Sequence, residues 1–487
     1  MALLTDLYQL TMAYAYWHAQ KSHLEASFNL FFRRSPFQGG YALTAGLESV
    51  IDFIKTFRFD TSDLDYLATL KGNDGQPLFP DAFLRYLSDL RLEVDLYAMP
   101  EGTVAFPQEP IIRVDGPIIH CQLLESPLLN LINFPTLVAT KASRLRAVCG
   151  KDLIFEFGLR RAQGINGALT ASRAAYVGGC DSTSNVLAGK LFGIPVRGTH
   201  SHSWVMAFDE EIESFYAFAN ALPANCVFLV DTYNSLEGVR HAIKVGKWLR
   251  EEKNQEMIGI RLDSGDLAYL SIQARKMLDE AGFAQAKIFA SNELDEMVIQ
   301  DLKRQKAPIG VWGVGTNLVT ARDQPALDGV YKLSAIREVG KKWDYRLKLS
   351  EQMIKVSNPG HLQVRRYIEK GEYIADAIYD DSGLLSPDLS RGALIVDPLD
   401  MTRKKRLSSH ILSEDLLVPI FEKGECVYKK PSLKAIRQYG MDSLAKFPDG
   451  VKRFYNPHQY IVGMEAALHQ KKIEMIQKIR ERIEEGK

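Results

Sequence analysis

Apolar and polar positions follow two rhythms along this chain, and the change between them sets the first expectations. Residues 7–17 carry apolar side chains at helical spacing, and Thr5 stands before them as a good N-cap, so a helix is expected there. Phe28, Leu30 and Phe32 alternate with Asn29 and Phe31, which predicts a strand. A helical stretch follows over 47–54, then β structure over 100–115 broken by Pro107 and Pro110. This first quarter reads as a mixed α+β layer. Further on, short apolar runs recur at 154–157, 195–196, 227–230, 258–262, 288–290 and 311–314. Helical stretches such as 236–249 and 267–281 separate most of them, as in the repeated βα units of a barrel or an open parallel sheet.

Polar residues gather directly after each run. They are Gly158 to Arg161, His200 to Ser203, Asp231, Arg261 with Asp263 to Asp266, Ser291 with Asn292, and Gly313, Gly315 and Thr316. Parallel α/β architectures bind ligands at the carboxyl ends of their strands. Six clusters in register therefore point to one active site. Past residue 330 the pattern changes to antiparallel elements. Two hairpins are expected, with turns at 369–372 and 422–425, and residues 464–483 read as a charged amphipathic helix. The expected organisation is α/β: an irregular α/β barrel plus a second α+β domain built from N-terminal and post-barrel segments. The bounds are 1–125 for the N-terminal part of the α+β domain and 126–330 for the barrel with its catalytic site. Residues 331–455 complete the α+β domain, and 456–487 hold the C-terminal helix.

Composition narrows the function classes. Hydrophobic residues make up 46% of 487, so a full core needs no metal or disulfide staple. Lys plus Arg and Asp plus Glu both number 60, which argues against a nucleic-acid or membrane-surface partner. Five cysteines, none in a CxxC pair, fit reduced thiols and a cytoplasmic setting. The N-terminus lacks a basic region and Asp6 interrupts its apolar run, so no signal peptide is expected.

The chemistry starts with His200 and His202. A His-x-His at a barrel strand end opens many metal-dependent hydrolase sites, but these need more ligands from other strand ends. Only His241 of the remaining histidines falls in the barrel region, inside a helix. A nucleophilic or general-base His202 is the better reading, with Asp231 at the next strand end placed to orient its imidazole. Gly313, Gly315, Thr316, Ser291 and Asn292 sit in turns whose backbone N–H groups can cradle phosphate, although a plain tight turn has the same signature. Arg160 and Arg161 suit phosphate or carboxylate, or a surface salt bridge. Strand alternation sets Arg261 and Asp263 on one face, as an anion and sugar-diol pair or as a buried ion pair.

Taken together the segments resemble the nicotinate phosphoribosyltransferase family. The likeness is carried by TDLYQLTM (5–12), EFGLRRAQG (156–164), DSTSN (181–185), GTHSHS (198–203), VDTYN (230–234), RLDSGDL (261–267), GVGT (313–316) and GVYKL (329–333). It runs in order from residue 3 to about 333, and more weakly to about 425. Each motif is modest alone; eight in one order are specific.

The resemblance implies ATP-coupled joining of nicotinate to phosphoribosyl pyrophosphate, with Mg2+ and with transient phosphorylation of His202. It implies a homodimer in which Tyr8 of one subunit stacks the pyridine ring against Phe157 of the other. Asp263 would hold the ribose hydroxyls, and Arg160 with Ser291, Asn292 and the 313–316 backbone the 5′-phosphate. Arg261 and Ser203 are implied for the nicotinate carboxylate. Related nicotinamide-using enzymes carry an Asp in the segment matching 184–189, where this chain has Asn185. A neutral amide there suits an acid substrate. The competing readings are nicotinamide phosphoribosyltransferase, which Asn185 opposes, and the decarboxylating quinolinate enzyme, which residues 198–203 oppose. A metal-dependent barrel hydrolase and a non-catalytic scaffold complete the set.

Overall fold

Six short parallel strands form the sheet on which most of the candidate residues stand. They are β1 (Leu153–Glu156), β2 (Ser182–Thr183), β3 (Val227–Leu229), β4 (Gly259–Leu262), β5 (Lys287–Ala290) and β6 (Val311–Val314), in the spatial order β2-β1-β6-β5-β4-β3. The computed structural model describes residues 2–385 and 392–486; residues 386–391, within the expected 331–455 segment, and the terminal residues 1 and 487 lie outside the described residues.

Helices connect the strands, and four begin on a side-chain cap supplied by the polar loop itself. Asn185, Asn234, Asp266 and Asp295 each accept a backbone N–H of the first turn they open. Part of the polarity after four of the six strands is thus the cost of starting a helix, not chemistry. The sheet interior is apolar: Phe155, Val227, Phe289 and Val311 form one buried cluster with Leu153 and Phe157 packed against it.

The expected strand at 195–196 is the exception. Val196 makes only an isolated bridge to Thr183, because Pro195 has no N–H to donate. The polar pair Ser182–Thr183, which no apolar run announces, is the sixth strand. Residues 195–200 nevertheless span the gap between the edge strands. On one side Thr183 N donates to Pro195 O at 3.0 Å and Arg197 N to Thr183 O at 3.0 Å. On the other, Leu229 N donates to the His200 ring at Nε2, 3.2 Å away. The ring of strands is closed irregularly, its last rung made by a side chain.

These strands belong to one unit, Val138–Pro325; the second unit joins Met1–Leu137 to Ala326–Lys487. The second unit contains a seven-stranded antiparallel sheet, in which Leu24–Phe32 lies between Gly329–Glu338 and Ile112–Pro117. It also contains a six-stranded mixed sheet around the Leu362–Glu369 and Glu372–Asp380 hairpin. Both expected hairpins form. Lys370 and Gly371, and likewise Lys423 and Gly424, all have positive φ, as a two-residue turn between right-twisted strands requires. Inside the larger hairpin Arg366 and Asp376 form an ion pair, both 1% exposed or less, and Arg366 Nη2 also donates to Val104 O at 2.8 Å. The first helix runs Leu7–His18, but its N-cap is Asp6. Thr5 was the expected cap; its hydroxyl is buried without a partner among the described residues, and Asp6 accepts a hydrogen bond from Ser126 at 2.5 Å. The final helix spans Ala466–Glu484. Among the described residues no helix is long and apolar enough to cross a membrane.

Candidate active site

At the carboxyl ends of β3, β4 and β5 lies a charged network. Arg261 sits near the end of β4, and its guanidinium donates three ways: Nε to Ser291 Oγ at 2.8 Å, Nη1 to Thr199 Oγ1 at 3.1 Å and Nη2 to Asp263 Oδ1 at 2.8 Å. Ser291 in turn donates to Asp263 Oδ1. Burial alone would raise the Asp263 carboxyl. The Ser291 hydrogen bond and the Arg261 charge outweigh it and hold the group below the usual carboxylate range. Its second oxygen lies 3.8 Å from His202 Nε2.

His202 is the first residue of a four-residue helix, His202–Val205, and is partly exposed. The hydroxyl of Thr232 lies 3.1 Å from its Nδ1. Asp231 was expected to orient this imidazole; the structure gives it other work. Its Oδ2 accepts the Asp263 N–H at 2.8 Å and the Ser264 hydroxyl at 2.6 Å, because the chain turns at 263–265 and brings those donors over the end of β3. Asp231 Oδ1 is buried with no partner among the described residues. Thr232, which sequence reasoning missed, is the residue beside Nδ1.

His200 differs from His202 in every respect. It is 8% exposed, among Phe215, Phe218 and Phe228. Burial lowers its pKa to about 4, so near neutral pH it is an uncharged ring that closes the sheet.

The other half of the rim, at β1, β2 and β6, is built almost without charge pairs. Phe157 N donates to Val314 O at 2.8 Å. Its ring occupies the space left at Gly313, where a Cβ would come within 2.7 Å of Phe157 Cδ2. Gly313 was assigned to phosphate on the pattern; its missing side chain is accounted for by this ring. Gly158 is as constrained, since a Cβ there would meet Val319 Cγ1 at 2.2 Å. The Arg261 guanidinium stands 5.6 Å from the Phe157 ring centre, so the aromatic ring joins the two halves. Arg160 and Arg161 are exposed and form no ion pair among the described residues.

Asn185, expected to face the base, is 2% exposed and fully engaged. Its Oδ1 accepts Ala188 N at 3.2 Å and its Nδ2 donates to Ser172 Oγ at 3.2 Å. The reason is its place at the start of the Val186–Phe192 helix, whose first turn needs an acceptor. Ser203 is exposed and bonded to Ser201 Oγ at 2.7 Å rather than to Arg261. Tyr8 belongs to the second unit, on its first helix, and is 48% exposed.

The two loops assigned to phosphate are stitched together by a residue the sequence did not single out. Asn317 donates to Glu293 O at 3.0 Å and Leu294 O at 3.1 Å. It thereby binds the turn after β6, with Gly315 and Thr316, to the turn after β5. In that turn Asn292 and Glu293 both have positive φ, strain of the kind stored at ligand-binding turns.

Among the described residues no three His, Cys, Asp or Glu side chains gather to hold a metal by themselves. Magnesium does not need such a cage: it binds through one or two carboxylates plus substrate phosphates. The unpartnered Asp231 Oδ1 and the outer oxygen of Asp263 fit that mode.

The sequence matches three family descriptions in succession. They are the nicotinate phosphoribosyltransferase (NAPRTase) N-terminal domain over residues 3–133, the nicotinate phosphoribosyltransferase (NAPRTase) family over 153–348 and the C-terminal domain over 361–472. It is 44% identical to the nicotinate phosphoribosyltransferase of Bacillus subtilis (strain 168), covering 100% of this chain and 97% of that protein. Identity to the human nicotinate phosphoribosyltransferase is 34%, over 96% and 95% of the two chains. The crystal structure of human nicotinic acid phosphoribosyltransferase superposes with a TM-score of 0.84 at 32% identity, covering 97% of this chain and all of that one. A nicotinate-nucleotide pyrophosphorylase from Pyrococcus furiosus shares the fold alone, with a TM-score of 0.66 at 22% identity. On sequence and fold together, the chain belongs to the nicotinate phosphoribosyltransferase family.

Proposed function

We propose that this protein transfers the phosphoribosyl group of phosphoribosyl pyrophosphate to nicotinate, forming nicotinate mononucleotide and pyrophosphate in pyridine-nucleotide biosynthesis. ATP hydrolysis is coupled to the transfer through a phosphorylated His202. Full-length likeness to nicotinate phosphoribosyltransferases carries the reaction. The observation that carries the residue assignment is the contact set of His202: a carboxylate facing Nε2 and a hydroxyl at Nδ1. The carboxylate favours the tautomer with its proton on Nε2, which leaves the Nδ1 lone pair, beside Thr232, as the nucleophile toward ATP.

In the transfer, positive charge develops at the ribosyl carbon as pyrophosphate leaves. Asp263 would receive the ribose hydroxyls and set negative charge near that carbon. The 5′-phosphate is assigned to Arg160 and to the backbone of Ser291, Asn292, Gly315 and Thr316. Arg261, stacked near Phe157, has guanidinium edge left to meet a carboxylate on a base lying against that ring; Ser203 is the second candidate for the same group. Magnesium, held by Asp231 and Asp263 together with pyrophosphate oxygens, would neutralise the leaving group. Exposed Ile165, Val186, Leu187 and Leu191, on the helices after β1 and β2, support a homodimer. In that dimer Tyr8 would come from the partner. Five unpaired cysteines suit a reducing cytoplasm.

The test is a product assay with nicotinate, phosphoribosyl pyrophosphate, Mg2+ and ATP, run beside nicotinamide. Nicotinate mononucleotide is expected, with ATP stimulation in wild type and none in His202→Ala. Turnover of nicotinamide alone would reverse the base assignment, and stimulation that survives in His202→Ala would end the phosphohistidine reading.

A further inference from the structure

Glu156 ends β1 and is 1% exposed. Its carboxylate collects three neutral donors from three separate pieces of chain. Oε1 accepts the N–H of Gly158. Oε2 accepts the hydroxyl of Ser172 at 2.8 Å, from the Gly164–Val177 helix, and that of Thr183 at 2.5 Å, from β2. Among the described residues no Lys or Arg pairs with it. Both hydroxyls also accept hydrogen bonds from one further residue: Ser172 Oγ from Asn185 Nδ2 at 3.2 Å, and Thr183 Oγ1 from Asn185 N at 2.9 Å. Every bond in this web runs the same way, from amide to hydroxyl to carboxylate. The arrangement has one direction and one sink.

We propose that Glu156 is a positioning residue for catalysis, its carboxylate locking the 157–161 loop to the Asn185-capped start of the Val186–Phe192 helix. The inference rests on the function proposed above. It makes Glu156 the reason that Phe157 and Arg160, on the loop, keep a fixed relation to the 5′-phosphate turn and to the base. The loop has little else to hold it. Gly158 is wedged against Val319, Phe157 N is tied to Val314, and Arg160 and Arg161 are exposed. An acceptor-only group is needed, because a buried hub that meets only donors can itself donate nothing. A glutamine has the same shape but only one acceptor oxygen, so whichever way it is turned its NH2 faces either the Gly158 N–H or the two hydroxyls, and at least one of the three donors loses its acceptor.

The experiment compares full-length wild type, Glu156→Gln, Arg160→Ala and the double variant. It uses steady-state kinetics, thermal unfolding and backbone hydrogen exchange. For Glu156→Gln we expect kcat/KM for phosphoribosyl pyrophosphate to fall about tenfold to a hundredfold, the scale of a displaced positioning group. The unfolding midpoint should stay within a few degrees of wild type. Exchange should quicken at 157–161 and 186–189 and not across the rest of the barrel unit. Arg160→Ala should cost much less in the Glu156→Gln background than in wild type, because the loop that carries Arg160 is already loose. Additive losses, unchanged kinetics, or a Glu156→Gln protein that unfolds globally would each overturn the proposal. Inactive wild type would instead overturn the function proposed above, and the exchange pattern would still decide whether Glu156 holds the loop.

Discussion

The two halves of the barrel rim hold their functional side chains by opposite means. Around β3, β4 and β5 the side chains are fixed by charge: Arg261, Asp263, Ser291 and Thr199 form one ionic lattice, with His202 at its edge. Around β1, β2 and β6 they are fixed by shape and by neutral donors converging on Glu156, with Gly313 and Gly158 leaving room for a ring and a tight turn. In the reaction proposed above, the charged half would face the chemistry that makes and moves charge, phosphoryl and ribosyl transfer. The neutral half would face a flat base, for which a rigid wall matters more than a field. A site can thus divide electrostatic work from steric work across one sheet.

Substitutions can break this division or sharpen it. The largest effect is expected at the edge of the charged half. His202→Ala should remove ATP stimulation of the rate, a loss of about a hundredfold or more under coupled conditions, while uncoupled transfer persists; initial rates with and without ATP measure it. Next comes Arg261→Lys, which keeps the charge and three donors but gathers them on one nitrogen, without the planar fork that reaches Ser291, Thr199 and Asp263 from three separate nitrogens. It should lower kcat/KM for nicotinate by about thirtyfold to a hundredfold. The neutral half should answer differently: Gly313→Ala pushes the Phe157 ring aside, raising KM for the base about tenfold with a smaller change in kcat. Equal losses in kcat and KM there would mean that the ring does more than form a wall.

The smallest kinetic effect is expected at His200, where the change is in stability. Its folded pKa of about 4 lies below the unfolded value of 6.5. The native state therefore refuses a proton that the unfolded chain accepts. Stability is full above pH 6.5 and falls as the pH drops toward 4, by about 3 kcal/mol in all. Glutamine can accept the Leu229 N–H without titrating, so His200→Gln should flatten denaturant-measured stability across that window and leave turnover within about twofold of wild type.

Much of this was legible in the sequence, and the failures have physical causes. The strand ends were found because buried parallel strands are apolar runs and their polar ends stand out. Both hairpins were found because two adjacent positive-φ positions ask for the Lys-Gly pairs at 370–371 and 423–424. Ser182–Thr183 was missed because a two-residue polar strand leaves no hydrophobic trace, and 195–196 was overread because its apolar pair contains a proline. Asp231 and Asn185 were singled out, but the structure gives them other contacts than those expected. Whether a polar residue beside a helix caps it or meets a ligand depends on which donors the tertiary fold brings within reach. Glu156 was visible only as a letter in a motif, since nothing in a linear pattern reports that a nearby N–H and two hydroxyls from farther along the chain converge on one carboxylate.

The seam of the barrel has a consequence for motion. A cask whose last stave is pegged by one imidazole will start to leak there first. His202 sits two residues beyond that peg. On the proposed reaction, the histidine that would meet ATP and then a ribosyl pyrophosphate in turn is mounted beside that seam.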